Sequence, residues 1–135
     1  KIVIIDGQGG EWEKAVIETV KKQLSRTRTL RHWHQTALQT SAMLKAGAFM
    51  EHGENPVIVN ARNADLIIGP IGIVMADSLM GEITAAMATA VSSSSAYKIL
   101  IPEIAATILS QAVRAAVLSD YIRQVCEEVG RHLNI

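Results

Sequence analysis

Asp6-Gly7-Gln8-Gly9-Gly10 packs one carboxylate and three glycines into five residues, directly after the apolar run Lys1–Ile5. Glycine has no Cβ, so its backbone can approach a ligand closely and adopt positive φ. A helix starting after such a turn offers free N–H groups and a positive dipole end, which favour an anion. The stretch therefore has two readings, a phosphate cradle or a plain turn between strand and helix. Asp6 is the candidate catalytic residue, since a carboxylate ending a strand can hold Mg²⁺ or a substrate hydroxyl. Two further loops share this character, Gly69-Pro70-Ile71-Gly72 and Pro102-Glu103. Gly7, Gln8, Gly9, Gly10, Gly69, Pro70 and Gly72 form the candidate ligand- or phosphate-binding set.

The dinucleotide fingerprint G-x-G-x-x-G is incomplete here. Gly7 and Gly9 supply two glycines, and the third falls on Trp12, where close helix–strand packing needs a bare backbone. Glu11 and Glu13 complement the helix dipole themselves and repel a phosphate. The second strand ends in His34, Gln35 and Thr36, with no acid for a ribose hydroxyl. A nucleotide remains a candidate ligand, NAD is not expected, and the cofactor is otherwise open.

The remaining reactive types have plainer readings. Asp77 and Glu82 are five residues apart around Gly81 and read first as solvated or capping carboxylates. His32 and His34 share a strand face at a permissible metal spacing, yet no third ligand is evident and His52 falls in a loop. No metal is expected. Cys126 sits on an apolar stripe and reads as core. Met43, Met75, Met80 and Met87 read as helix packing, and Ser92–Ser95 as a helix exit.

Elements must position these groups. Lys1–Asp6 is a buried strand by its Ile/Val run. Over Glu11–Leu24 the period becomes helical, with Trp12, Val16, Val20 and Leu24 on one stripe beside Ile17. Thr29–His34 is a second strand candidate. A short helix over Ala42–Ala46 is capped by Thr40 or Ser41 and ended by Gly47. Pro56–Val59 fits strand or helix; Asn55-Pro56 is a good N-cap pair, and the gap before Asp65–Gly69 is too short for a parallel crossover. A helix over Pro56–Asn63 is expected. Helical pieces follow at Gly72–Met80 and from Thr84 to Val91. Tyr97–Ile101 is a strand stopped by Pro102, and Thr107–Val113 is expected to be another. The last helix starts at Ser119-Asp120 and buries Tyr121, Ile122, Val125, Cys126, Val129 and Leu133. Strands alternating with helices imply a single α/β domain with a mainly parallel sheet of about five strands.

Bulk properties narrow the partners. Of 135 residues, 49% are apolar and 19% charged, which argues for a core-rich chain rather than a disordered one. Thirteen acids balance thirteen Lys and Arg, so the chain has no general attraction for nucleic acid or anionic lipid. Neither is an expected partner. A single cysteine excludes an internal disulfide and fits a reducing compartment. No basic leader or long apolar span is present, so a cytoplasmic location is expected. Low charge with abundant Ala, Met and Ile favours a homo-oligomer.

Taken together, the strand-one turn, "TSAMLKAGA", "GEN", "ADLIIGPIGIVMADSLMGEIT" and "KILIP" carry a resemblance. The chain resembles an uncharacterised bacterial family of small proteins, a domain of unknown function. Its members open I-D-G-Q-G-G and carry G-P-I-G-I followed by G-E-I-T, with the closest match over residues 65–102. The resemblance implies a three-layer Rossmann-like sandwich over residues 1–135 and implies no activity. The family's further glycines after the first turn are replaced here by Glu11 and Trp12. Three functions follow in order. The first is small-molecule or nucleotide/phosphate binding at the carboxyl ends of the strands. The second is a hydrolase- or transferase-type enzyme acting on a phosphorylated substrate. The third is a non-catalytic oligomeric or partner-binding protein.

Overall fold

The computed structural model describes residues 1–5, 16–20, 22, 30–33, 49–51, 53–102 and 111–133. Its elements are β1 (Ile2–Ile5), β2 (Leu30–Trp33), β3 (Phe49–Glu51), α1 (Glu54–Arg62), β4 (Leu66–Pro70), a 3₁₀ turn (Ile71–Val74), α2 (Ser78–Gly81), α3 (Ala85–Ser93), β5 (Tyr97–Ile101) and α4 (Gln111–Leu133). Residues 16–20 are also helical. The fold is α/β, an all-parallel sheet flanked by helices.

The sheet is built around β1, β4 and β5. Ile2, Val3 and Ile4 stand in register with Leu66, Ile67 and Ile68, and Leu66 to Pro70 with Tyr97 to Ile101. In-register residues of parallel strands share a face, so alternate positions supply two cores. Ile2, Ile4, Leu66 and Ile68 pack with Val16, Ile17, Val20, Val125 and Val129 on one face. Val3, Ile5 and Ile67 pack with Val57, Ala61, Ile73, Met87 and Val91 on the other. Cover on both faces explains why "IVII" and "LII" are continuously apolar rather than alternating. Beyond β1 the backbone pairing continues through β2 to β3, giving the order β3-β2-β1-β4-β5.

Helix α1 confirms the helical expectation for Pro56–Asn63, with an earlier start. Gly53, at φ 93°, precedes the first turn, and Asn55-Pro56 falls inside that turn. Proline is tolerated there because the first-turn N–H groups have no helical partner. Glu54 and Arg62 complement the dipole at the two ends. Asn60, buried among apolar residues, satisfies its amide by donating to the Pro56 carbonyl at 2.8 Å.

Helix α3 starts as its sequence implies. The Thr84 hydroxyl accepts from Met87 N–H at 3.1 Å. At the other end Ser94 donates to the Ala61 carbonyl at 2.6 Å and accepts from Ala96 N–H at 3.1 Å. One hydroxyl thereby ties the ends of α1 and α3 to the start of β5.

Three expectations are corrected. Gln111–Val113 form the first turn of α4 rather than the end of a strand at Thr107–Val113, whose first residues lie outside those described. Ala112, Arg114, Ala115, Ala116 and Leu118 are strong helix formers, and they outweigh two isolated valines. Ser119-Asp120 is consequently an exposed mid-helix pair and not a cap. The helix expected over Gly72–Met80 is also absent. A single 3₁₀ turn ends at Val74, and Asp77, Leu79 and Met80 then take positive φ, so the short α2 is interrupted by left-handed backbone at Leu79 and Met80 and is not a regular right-handed helix. β3, where no element is expected, carries only three residues. The candidates on Ala42–Ala46, with its caps, and on Met43 and His52 lie outside the described residues.

Candidate functional site

Strand order decides where the carboxyl ends converge. β1 has β2 on one side and β4 on the other, so the chain's direction of travel across the sheet reverses between β1 and β4. In open parallel sheets a ligand commonly binds outside the carboxyl ends of the strands at such a reversal. Ile5 ends β1, and Asp6 to Gly10 are the next residues of the chain. They lie outside the described residues, as do Glu11, Trp12 and Glu13.

The turn after β4 is described in full. Gly69 stands where β4 passes the end of β1. A Cβ there would sit 2.4 Å from the Ile5 carbonyl oxygen and 2.8 Å from Ile73 Cδ1. No real Cβ tolerates such a contact, so glycine is required by packing alone. Pro70 is extended, at φ −62° and ψ 152°, and turns the chain out of the sheet. Gly72 is buried in the 3₁₀ turn, and its carbonyl accepts from Met75 N–H at 3.0 Å and from the Ser78 hydroxyl. Three of the candidate ligand residues thus form one compact corner beside the end of β1.

Beyond the corner, residues 75–82 form a reversal that the sequence does not announce. Asp77 (φ 62°), Leu79 (φ 53°) and Met80 (φ 56°) are all left-handed without being glycine. Each costs roughly 1–2 kcal/mol and persists only where its surroundings impose it. Here Leu79 packs against the core, and Asp77 N–H donates to the Ile83 carbonyl at 2.7 Å. With Leu79 partly buried against the core, its neighbour Met80 faces outward and is 88% exposed. Ile71 and Met75 are exposed as well, at 42% and 48%. Of the four methionines read as helix packing, Met87 is buried and these two face solvent.

Asp77 is exposed, and Glu82 is partly buried on the far side of Gly81. His32 lies on β2 in register with Ile4, while His34 is outside the described residues. No group of three His, Cys, Asp or Glu able to hold a metal occurs among the described residues. Cys126 is buried in α4, and burial pushes its thiol up while a hydrogen bond with Thr19 pulls the other way. It belongs to the core, as its place on the apolar stripe indicates. A shallow open groove of about 520 Å³ lies between the 3₁₀ turn and α3, lined by Val74, Ala85, Ala88, Thr89 and Ser92 among others. Its lining offers hydroxyls and methyls and no ionisable group.

A family model matches residues 1–134, nearly the whole chain. The chain belongs to the family described as Domain of unknown function (DUF3842). No curated protein matches it. The membership agrees with the resemblance carried by the I-D-G-Q-G-G, G-P-I-G-I and G-E-I-T segments and adds no activity. No helix among the described residues is long and apolar enough to cross a membrane.

Proposed function

We propose that this family member is a three-layer Rossmann-like sandwich that binds a small phosphorylated molecule at the carboxyl ends of β1 and β4. The observation carrying the reading is the reversal of strand order between those two strands. In open parallel sheets the crevice at that point is the common ligand position. Gly7, Gln8, Gly9 and Gly10 would present backbone N–H groups to a phosphate, with Gly69, Pro70 and Gly72 as the opposite wall. Asp6 would accept a hydrogen bond from a ligand hydroxyl and is the residue from which any catalysis would start. A nucleotide or sugar phosphate fits this division of roles, and NAD does not, because Trp12 replaces the third glycine of its fingerprint.

A thermal-shift panel of nucleotides, sugar phosphates and pyrophosphate tests the reading. A ligand present at 100 times its Kd adds about 2.7 kcal/mol, or roughly 10 °C for a chain of this size. At least one phosphorylated compound is expected to produce such a shift. A panel without any shift would overturn the proposal.

A further inference from the structure

We propose that residues 75–82 are a two-state strap on the Gly69–Gly72 corner. Ser78 holds it in left-handed backbone, and a ligand phosphate that takes the Ser78 hydroxyl releases it to right-handed backbone. The strap acts on the site proposed above and so rests on that phosphate reading. Four of the five residues from Asp77 to Gly81 have positive φ: Asp77 at 62°, Leu79 at 53°, Met80 at 56° and Gly81 at 85°. Residues other than glycine visit this region singly, because Cβ crowds the following carbonyl oxygen. Leu79 and Met80 do so in succession. Backbone held in a disfavoured region is characteristic of ligand clamps and switch segments.

The composition of the segment favours the other hand. Met75, Ala76, Leu79 and Met80 are strong formers of right-handed helix, and Gly81 follows them as a natural stop. A small set of contacts opposes that preference among the described residues. Asp77 N–H donates to the Ile83 carbonyl at 2.7 Å, and Ile83 N–H to the Ser78 carbonyl at 3.3 Å. Leu79 is partly buried against the core. The Ser78 hydroxyl donates to the Gly72 carbonyl. A few hydrogen bonds and one half-buried leucine are of the same order as the strain of three left-handed residues, so losing one contact shifts the balance. Ile73 and Ile83, both fully buried, fix the two ends of the strap. Met80, 88% exposed, changes hand without leaving a packed position.

Ser78 links this balance to the site. Gly72 is buried in the corner, and its carbonyl accepts from Met75 N–H at 3.0 Å as well as from Ser78. A phosphate oxygen at the corner competes with that carbonyl for the same hydroxyl. A hydrogen bond to an ionised acceptor is roughly twice as strong as one between neutral groups, so the hydroxyl goes to the phosphate. Met75 N–H still closes the 3₁₀ turn, while the left-handed residues lose their tie to Gly72. The ligand thus makes a contact in the released form that the held form denies it. Such differential binding is what shifts a two-state element.

NMR of the full chain tests the strap, with HN–Hα couplings and intraresidue HN–Hα cross-relaxation reporting the sign of φ at Asp77, Leu79 and Met80. Without ligand, Ser78→Ala is expected to move all three to negative φ, and Ser78→Thr, which keeps the hydroxyl, to leave them positive. Met80→Gly is expected to favour the left-handed form at least about tenfold, since glycine tolerates positive φ and is a poor helix former. Combined with Ser78→Ala, it should restore positive φ at Asp77 and Leu79. Unchanged φ in Ser78→Ala overturns the strap, whether or not the corner binds phosphate. In the wild-type chain, saturating pyrophosphate is expected to turn the three residues to negative φ, and Met80→Gly to weaken its binding about tenfold. These two readings decide the matter should the Ser78 variants fail to fold. Pyrophosphate bound with the three residues still left-handed overturns the strap and leaves the site standing. Binding of neither pyrophosphate nor ADP overturns the site, and the release with it.

Discussion

Gly69 shows how one residue's environment separates a structural from a ligand-binding reason. Its missing Cβ is explained by Ile5 and Ile73 before any ligand is considered. Gly69→Ala is therefore expected to destabilise the ligand-free protein by roughly 3 kcal/mol, lowering Tm by about 10 °C, because overpacking forces the end of β1 from β4. Gly81→Ala is the control, since its Cβ meets open space and only the φ of +85° opposes it. That change should cost about 1 kcal/mol. If the two variants melt together, the close contact at Gly69 is not what holds the corner. The same scale explains what was not legible in the chain. "IGPIG" announces a turn, and nothing in Asp77, Leu79 or Met80 announces positive φ, because left-handed backbone at such residues is imposed by tertiary contact. Met80 faces out because Leu79 beside it packs against the core.

Elements with strong local signals were readable, and those decided by long-range contact were not. Thr84 caps α3 by sequence alone, since a hydroxyl before an apolar helical run satisfies an orphan N–H. Thr84→Ala should cost about 1 kcal/mol, measured by urea unfolding with an unchanged m-value. A loss near zero would mean the α3 start is held by packing instead. β1, β4 and β5 were equally plain, as short isoleucine-rich runs closed by glycine or proline. β3 was missed because three residues are too few for any periodicity, and its pairing with β2 supplies what its sequence lacks. The start of α4 was misplaced for the opposite reason. Ser119-Asp120 is a good capping pair by type, and it lies inside a helix that began at Gln111 on alanine-rich residues.

Two apolar faces force helices onto both sides of the parallel sheet, and the strand order then fixes where carboxyl ends converge. That convergence is why Asp6–Gly10 and Gly69–Gly72, some sixty residues apart, are proposed as one site. The glycine-rich stretches were legible in the sequence, but the strand order that brings β1 beside β4 was not. The measurement bearing most directly on this account is an amide-resolved NMR titration of the full chain with ADP and, separately, with pyrophosphate. The expected result is saturable shifts concentrated at residues 6–10 and 69–72, the two loops beyond β1 and β4. Shifts confined to other surfaces, or none with either compound, would contradict a phosphate site at the strand-order reversal.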